Sequence, residues 1–252
     1  MSKNFELLQQ AGWDEGIFRK APPVPEPDPV VPPAAPSVVP KRRRPSYTEL
    51  RLFVHAVFLD AVPTHPRTVV FTGLRRRVGC SSVCAAVTKI LAEETQQSVC
   101  AVDGNSLSPS LHLHFGASNQ TGLTDALHLA QSPESFVQRL SGDNHWFLAH
   151  GQSKQGRHPA AASLDWGLWI RGLRNRFDFV LVDAPPLNAS KEAIRLAGSC
   201  DGLIVVADSS EVLASDLCNA KHQLQAARVP LLGFVMTQAS DLTPNLFARL
   251  FQ

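Results

Sequence analysis

The chain has 252 residues, 44% of them hydrophobic and 18% charged, enough apolar material for one large or two small domains with a substantial core. A formal net charge of +2 argues against a protein that coats nucleic acid, and no run of about 18 apolar residues is present to span a bilayer. Its five cysteines (Cys80, Cys84, Cys100, Cys200 and Cys218) are an odd number scattered through apolar segments, which excludes a disulfide scaffold and reads as reduced thiols of a cytosolic protein.

In chain order, residues 1–20 read as an N-terminal segment without the cationic start and apolar stretch of a secretory signal. Phe5, Leu7, Leu8, Trp13, Ile17 and Phe18 give it a patchy amphipathic pattern that suits either a short docking helix or a disordered tail. Ten of the 19 prolines fall between Pro22 and Pro45, so residues 21–45 form a disordered, Pro-rich, extended linker that ends in the basic run from Lys41 to Arg44. A domain over 46–252 follows. A helix over Tyr47–Leu59 leads into strands at Thr68–Thr72, Ser98–Asp103, Trp146–Ala149, Phe179–Asp183, Gly202–Ala207 and Leu231–Thr237. Several of these are apolar almost throughout, the pattern of strands buried on both faces of a parallel sheet. Helical spacing fills Ser81–Thr95, Gly122–Ala130, Ala162–Arg176, Ser190–Ala197 and Glu211–Arg228, with a terminal helix over Pro244–Phe251. Strand–helix alternation of this kind predicts right-handed crossovers and a three-layer, doubly wound, mostly parallel α/β sandwich.

Ligands of such sheets sit beyond the carboxyl ends of the strands. The first strand runs into Thr72-Gly73-Leu74-Arg75-Arg76-Arg77-Val78-Gly79-Cys80-Ser81-Ser82, ahead of a helix, the setting of a phosphate-binding loop. Such a loop uses glycines so that backbone N–H groups can curl around an anion, and a lysine before the Ser/Thr to reach the phosphates. Cys80 occupies the lysine position, and a neutral thiol supplies no cation. Two other strands end in Asp103 and Asp183, a pair of carboxylates of the kind a Mg-nucleotide site requires.

Four collinear blocks resemble the cytoplasmic domain of bacterial tyrosine kinases, relatives of the MinD/ParA ATPases within the P-loop NTPases. Ser46-Tyr47-Thr48-Glu49-Leu50-Arg51 is similar to the family's Glu-Ala-Tyr-Arg-Thr-Leu-Arg helix. The stretch from Asp103 through Pro109-Ser110-Leu111-His112, Phe115-Gly116 and Gly122-Leu123-Thr124-Asp125-Ala126-Leu127 is similar to Asp-Ala-Asp-Leu-Arg-Arg-Pro-Ser-Leu-His, Phe-Gly and Gly-Leu-Ser-Asp-Val-Leu. Phe177-Asp178-Phe179-Val180-Leu181-Val182-Asp183-Ala184-Pro185-Pro186 matches Tyr-Asp-Tyr-Val-Ile-Ile-Asp-Thr-Pro-Pro, and Asp201-Gly202 with Leu231 to Val235 continues the order.

The departures are concentrated where chemistry would occur. The family's Pro-Gly-Glu-Gly-Lys-Ser-Thr becomes Arg76-Arg77-Val78-Gly79-Cys80-Ser81-Ser82; Asp-Ala-Asp becomes Asp103-Gly104-Asn105; Leu107 and Ser108 replace two arginines; and Thr237 stands where an asparagine often contacts adenine. The family's C-terminal tyrosine cluster has no counterpart, Tyr47 being the only tyrosine. The resemblance therefore implies a degenerate, pseudokinase-like regulator or scaffold of exopolysaccharide or capsule export, cytoplasmic and peripheral at the inner membrane. Its partners would be a membrane-bound chain-length regulator or an active homologue, with homo-oligomerisation and no nucleic acid. Tyr47, Leu50 and Arg51 are the expected interface. Gly79, Cys80, Ser81, Ser82 and Arg77 would form the altered phosphate loop, and Ser81, Asp103 and Asp183 would hold metal only if Mg-ATP or Mg-ADP binds; otherwise no cofactor is implied. Two alternatives remain open: an ATP-using tyrosine kinase or ATPase in which Arg75, Arg76 and Arg77 replace the lysine, and a ParA-like positioning protein. Cys80 with Cys84, and His112 with His114, have ligand-like spacing, but buried thiols and an inherited histidine account for them without metal. Trp166 and Trp169 read as helix residues facing the sheet.

Overall fold

The computed structural model describes residues 44–60, 65–140, 142–152 and 166–238, all within the unit Pro40–Gln252. The expected N-terminal segment, nearly all of the linker and the terminal helix over Pro244–Phe251 lie outside the described residues.

The seven strands are β1 (Thr68–Gly73), β2 (Val99–Asp103), β3 (Gln138–Arg139), β4 (His145–Leu148), β5 (Phe179–Ala184), β6 (Gly202–Asp208) and β7 (Leu231–Thr237). They form one sheet in the order β3-β4-β2-β5-β1-β6-β7. Every pairing is parallel except that of β3 with β4. The helices are α1 (Tyr47–Val54), α2 (Cys80–Glu94), α3 (Leu111–Phe115), α4 (Leu123–His128), α5 (Trp166–Arg176), α6 (Glu192–Ala197) and α7 (Ala214–Ala226). The doubly wound α/β architecture read from the sequence is the observed one.

Alternation within the central strands builds the two cores. Val70, Cys100, Val102, Val180, Val182, Leu203 and Val205 face α5, α6 and α7. Their neighbours Val69, Phe71, Val99, Ala101, Leu181, Ile204 and Val206 face α1 and α2. Successive side chains leave a strand on opposite sides, so a strand covered on both faces must be apolar at every position. Trp166, Ile170 and Leu173 recur at helical spacing along the inward face of α5, and Trp169 meets Trp166 edge-on.

The edges differ from the sequence reading for local reasons. Residues 55–59, expected to extend the first helix as an ordinary α-helix, widen into a π-helical turn that seats buried Phe58 edge-on against Phe179. Only two residues long, β3 offers no periodicity to detect. Likewise, α3 is a five-residue helix that starts after Pro109 and Ser110. Asp201 pins the amino edge by accepting hydrogen bonds from the Arg67 and Thr68 amides and the Thr68 hydroxyl. Asp178 accepts from the amide and hydroxyl of Ser98. These two aspartates of the resembling blocks are therefore fastenings. Among the described residues, no helix is long and apolar enough to cross a membrane.

Leu181 is fully buried at the centre of the sheet. Replacing it by alanine is expected to lower the unfolding free energy by about 2–5 kcal/mol, measurable in urea, with the slope of the transition unchanged.

Candidate phosphate-loop site

The carboxyl edge of the sheet carries a loop shaped by its glycines. A Cβ on Gly73 would stand 2.7 Å from the carbonyl oxygen of Arg75 and 2.8 Å from Cγ2 of Val78, so only glycine lets the loop fold back on itself. The Leu74 amide donates to the Val206 carbonyl at 2.7 Å, and the Thr237 hydroxyl donates to the Val78 carbonyl at 2.7 Å, tying the loop to β6 and β7. Gly79, at φ +87°, caps the start of the 15-residue helix α2. Arg77 also lies in the left-handed region, at φ +64°. A residue with a Cβ resists that conformation by about 1–2 kcal/mol, so the turn is retained although the sequence no longer supplies glycine.

Below the loop, Asp103 and Asp183 are register partners on the adjacent strands β2 and β5, and both are fully buried. The Ser81 hydroxyl donates to Asp183 Oδ2 at 2.5 Å, and the Ser110 hydroxyl lies 3.0 Å from that of Ser81. The Asp183 carboxylate acts electrostatically on the nearby Cys80 thiol. Asp103 accepts from the Leu111 amide at 2.9 Å and from the Asn105 amide at 3.3 Å. Burial, and then the neighbouring Asp183 carboxylate, raise Asp103 to about 7. Burial raises Asp183 to about 6 against the opposing hydrogen bond from Ser81. Burial, reinforced by Asp183, lifts the Cys80 thiol well above its ordinary value, so it stays protonated and uncharged at neutral pH.

A cleft of ≈ 600 Å³ opens over this loop and is lined by Arg44, Arg75, Arg76, Arg77, Ser108 and His114 together with residues 78–82. Among the described residues, no carboxylate lines it. Arg75 turns to the side, its guanidinium 2.9 Å from Asp216 on α7. Arg76 and Arg77 are exposed. A larger hollow of ≈ 1050 Å³ lies at the opposite, amino edge of the sheet. Its charged groups are taken up by the pairs Arg67–Asp178 and Arg174–Asp201, which fasten strands and leave no set of groups poised for chemistry.

A Mg-nucleotide tests the site in two halves. The hard oxygen donors a divalent cation prefers are present at Ser81 and Asp183, and Oδ1 of Asp183 is buried without a hydrogen-bond partner. The phosphate half lacks its cation: the group at the lysine position is a neutral thiol. Asn105, at the family's second carboxylate position, offers an amide oxygen that accepts from the Ser108 amide at 3.2 Å.

The structure thus brings Arg77, Gly79, Cys80, Ser81, Ser82, Asp103 and Asp183 to one edge. The α1 residues stand apart from it. Leu50 is buried, only 6% exposed, in the core shared with α2, because the helix needs an apolar anchor there. Tyr47 and Arg51 stay at the surface, with the Tyr47 hydroxyl donating to Glu93 at 2.8 Å and the Arg51 guanidinium 2.6 Å from Glu94. Exposed Leu52 joins them in place of Leu50. Among the described residues, no group of three or more His, Cys, Asp or Glu side chains assembles a metal site, so Cys80 with Cys84 and His112 with His114 gain no further ligands. Sequence reasoning missed Arg44, Ser110 and Asp216. Each comes from a segment remote from the loop, and only the fold brings it there; the basic run ending at Arg44 was the one available signal for the first.

No protein-family model matches the chain. It is 26% identical over 180 residues to the tyrosine-protein kinase YwqD of Bacillus subtilis, covering 70% of this chain and 74% of that protein. It is 23% identical over 191 residues to the tyrosine-protein kinase ptk of Acinetobacter johnsonii, covering 76% of this chain but only 26% of the relative. The kinase domain of the Escherichia coli tyrosine kinase ETK superposes with a TM-score of 0.69 at 18% identity, over 80% of this chain and 78% of that domain. The septum site-determining protein MinD of Pyrococcus horikoshii, solved with Mg-ADP, gives 0.59 at 23% identity, over 68% and 69%. The structural likenesses establish the fold.

Because Asp103 and Asp183 hold protons more tightly in the folded state than their ordinary value of 3.8, their stabilising contribution is complete below about pH 4 and lost as pH rises through 6 to 7. The unfolding free energy is expected to fall by about 2–4 kcal/mol between pH 5 and pH 8. Asp103→Asn, which removes one titrating group and one like charge, should flatten that profile in urea titrations.

Proposed function

We propose that this homologue of bacterial tyrosine kinases keeps the kinase fold as a binding scaffold and does not transfer phosphate. The observation that carries this reading is Cys80. At the position where the resembling family grips the phosphates with an ammonium group, the side chain is an uncharged thiol. Losing such a preorganised cation removes several kcal/mol of transition-state stabilisation, about 10²–10³-fold in rate for a single donor. The loss is compounded by Asn105 in place of a carboxylate. Tyr47, the only tyrosine, has its hydroxyl on Glu93 and lies outside the residues lining the cleft.

On this reading the chain acts by association within a polysaccharide-export system, as a regulator that docks a membrane-bound chain-length regulator or an active kinase homologue. The surface offered by α1 would be Tyr47, Arg51 and Leu52, with Leu50 holding the helix to its own domain. This placement is supported by a helix firmly based on α2 yet presenting an exposed apolar side chain beside a cation, the mixture found at protein interfaces.

The test is transfer of labelled phosphate from Mg-ATP to a synthetic tyrosine-containing copolymer, with release of inorganic phosphate followed in parallel. Wild-type protein is expected to match the buffer blank in both. Turnover in the range of about 1–100 s⁻¹ typical of kinases would refute the proposal. For the association surface, Leu52→Asp is expected to leave the melting temperature within a few degrees and to weaken co-purification of a co-expressed chain-length regulator or kinase homologue.

A further inference from the structure

We infer that Tyr47 is a phosphoacceptor for an active tyrosine kinase, and that its phosphorylation releases α1 from α2. The inference rests on the reading of this chain as a non-catalytic associate of such kinases, and it gives that association a control. Tyr47 is the only tyrosine of the chain. It is the first residue of α1 and 55% exposed, and it is absent from the lining of the chain's own cleft, so modification by a second protein is the open route.

What the side chain touches decides what a phosphate does there. Two polar pairs fasten α1 to the end of α2. The Tyr47 hydroxyl donates to Glu93 at 2.8 Å, and the Arg51 guanidinium lies 2.6 Å from Glu94, which His55 also meets at 3.4 Å. Lys89 stands 3.8 Å from Glu93, one turn earlier on α2. These surroundings already resist negative charge at the phenol. The hydrogen bond to Glu93 is the main cause that holds Tyr47 above its ordinary value, and the charges of Glu93 and Glu94 add to it.

In the transfer, the terminal phosphorus of ATP breaks its bond to the bridging oxygen and forms one to Oη; ADP leaves and the phenolic proton passes to solvent. A donor thereby becomes a group of about −1.5 to −2 charge beside two carboxylates. The hydrogen bond to Glu93 is lost and repulsion takes its place. The nearby cations are drawn off as well. Lys89 can exchange Glu93 for the phosphate, and Arg51, four residues after Tyr47 on the same helix, can exchange Glu94. The capping box of Ser46 and Glu49 involves neither pair, so the helix persists while its docking loosens. Arg51 also belongs to the proposed docking surface, so the same phosphate masks the cation that α1 presents.

The full chain would be incubated with labelled Mg-ATP, alone and with the kinase domain of the Escherichia coli tyrosine kinase ETK. Mass spectrometry would locate the phosphate, and amide hydrogen exchange would follow α1. Label is expected on Tyr47 only with the added kinase. Exchange over residues 50–54 is expected to rise about three- to tenfold on phosphorylation, the scale of losing a charge-assisted hydrogen bond near the surface, and to rise less in Glu93→Gln or at high salt. Tyr47→Phe, which loses the hydroxyl without gaining charge, should exchange within about twofold of the unmodified wild type. Label on Tyr47 without added kinase would refute the non-catalytic reading and support the modification site. The inference is overturned if the added kinase leaves Tyr47 unlabelled, or if phosphorylated and unmodified protein exchange alike.

Discussion

Two carboxylates terminating adjacent parallel strands, in a region that water does not reach, set the terms for the carboxyl edge of this sheet. Asp103 and Asp183 are paired across β2 and β5 and fully buried. A buried carboxylate must find a cation, a proton or hydrogen-bond donors. Here donors and protons serve. Ser81 hydrogen-bonds Asp183, the amides of Leu111 and Asn105 hold Asp103, and both acids retain protons toward neutrality. The loop above is thereby fastened from below through Ser81.

The fold was legible because its signal is redundant. A strand covered on both faces must be apolar at each position, and VVF in β1, VLV in β5 and LIVV in β6 could hardly be read otherwise. Legibility failed where an element is too short to show a period. Two-residue β3 pairs only with β4 at the sheet edge, and five-residue α3 is held by the Asp103 carboxylate accepting from the Leu111 amide, a contact between residues eight apart. The π-helical turn over His55–Leu59 is a packing event: Phe58 has to reach Phe179, and sequence periodicity does not report where a partner ring will be.

At the site, residue identity was legible and side-chain direction was not. The loop, the two aspartates and the missing lysine stand in the sequence. That Arg75 is diverted to Asp216, while Arg76 and Arg77 form no ion pair among the described residues, depends on α7, which follows Arg75 by about 140 residues. Leu50 illustrates the same limit. A leucine beside exposed Tyr47 and Arg51 reads equally well as an interface or a core residue, and only the position of α2 decides that it is core.

A left-handed turn at a residue with a Cβ, here Arg77, costs stability, and a loop free to relax would abandon it. Two hydrogen bonds hold this loop nearby, from Thr237 to Val78 and from Leu74 to Val206, and Gly73 allows the backbone to close beneath it. The turn is thus imposed by β6 and β7, elements that exist to build the sheet, whatever side chains the loop carries. What the surviving shape then offers is set by the side chains placed on it. Cys80 brings a neutral thiol to the cleft, while Arg44, Arg75, Arg76 and Arg77 give its border a positive charge. The backbone shape of this edge is set by the sheet, and its charge by a handful of side chains placed on it.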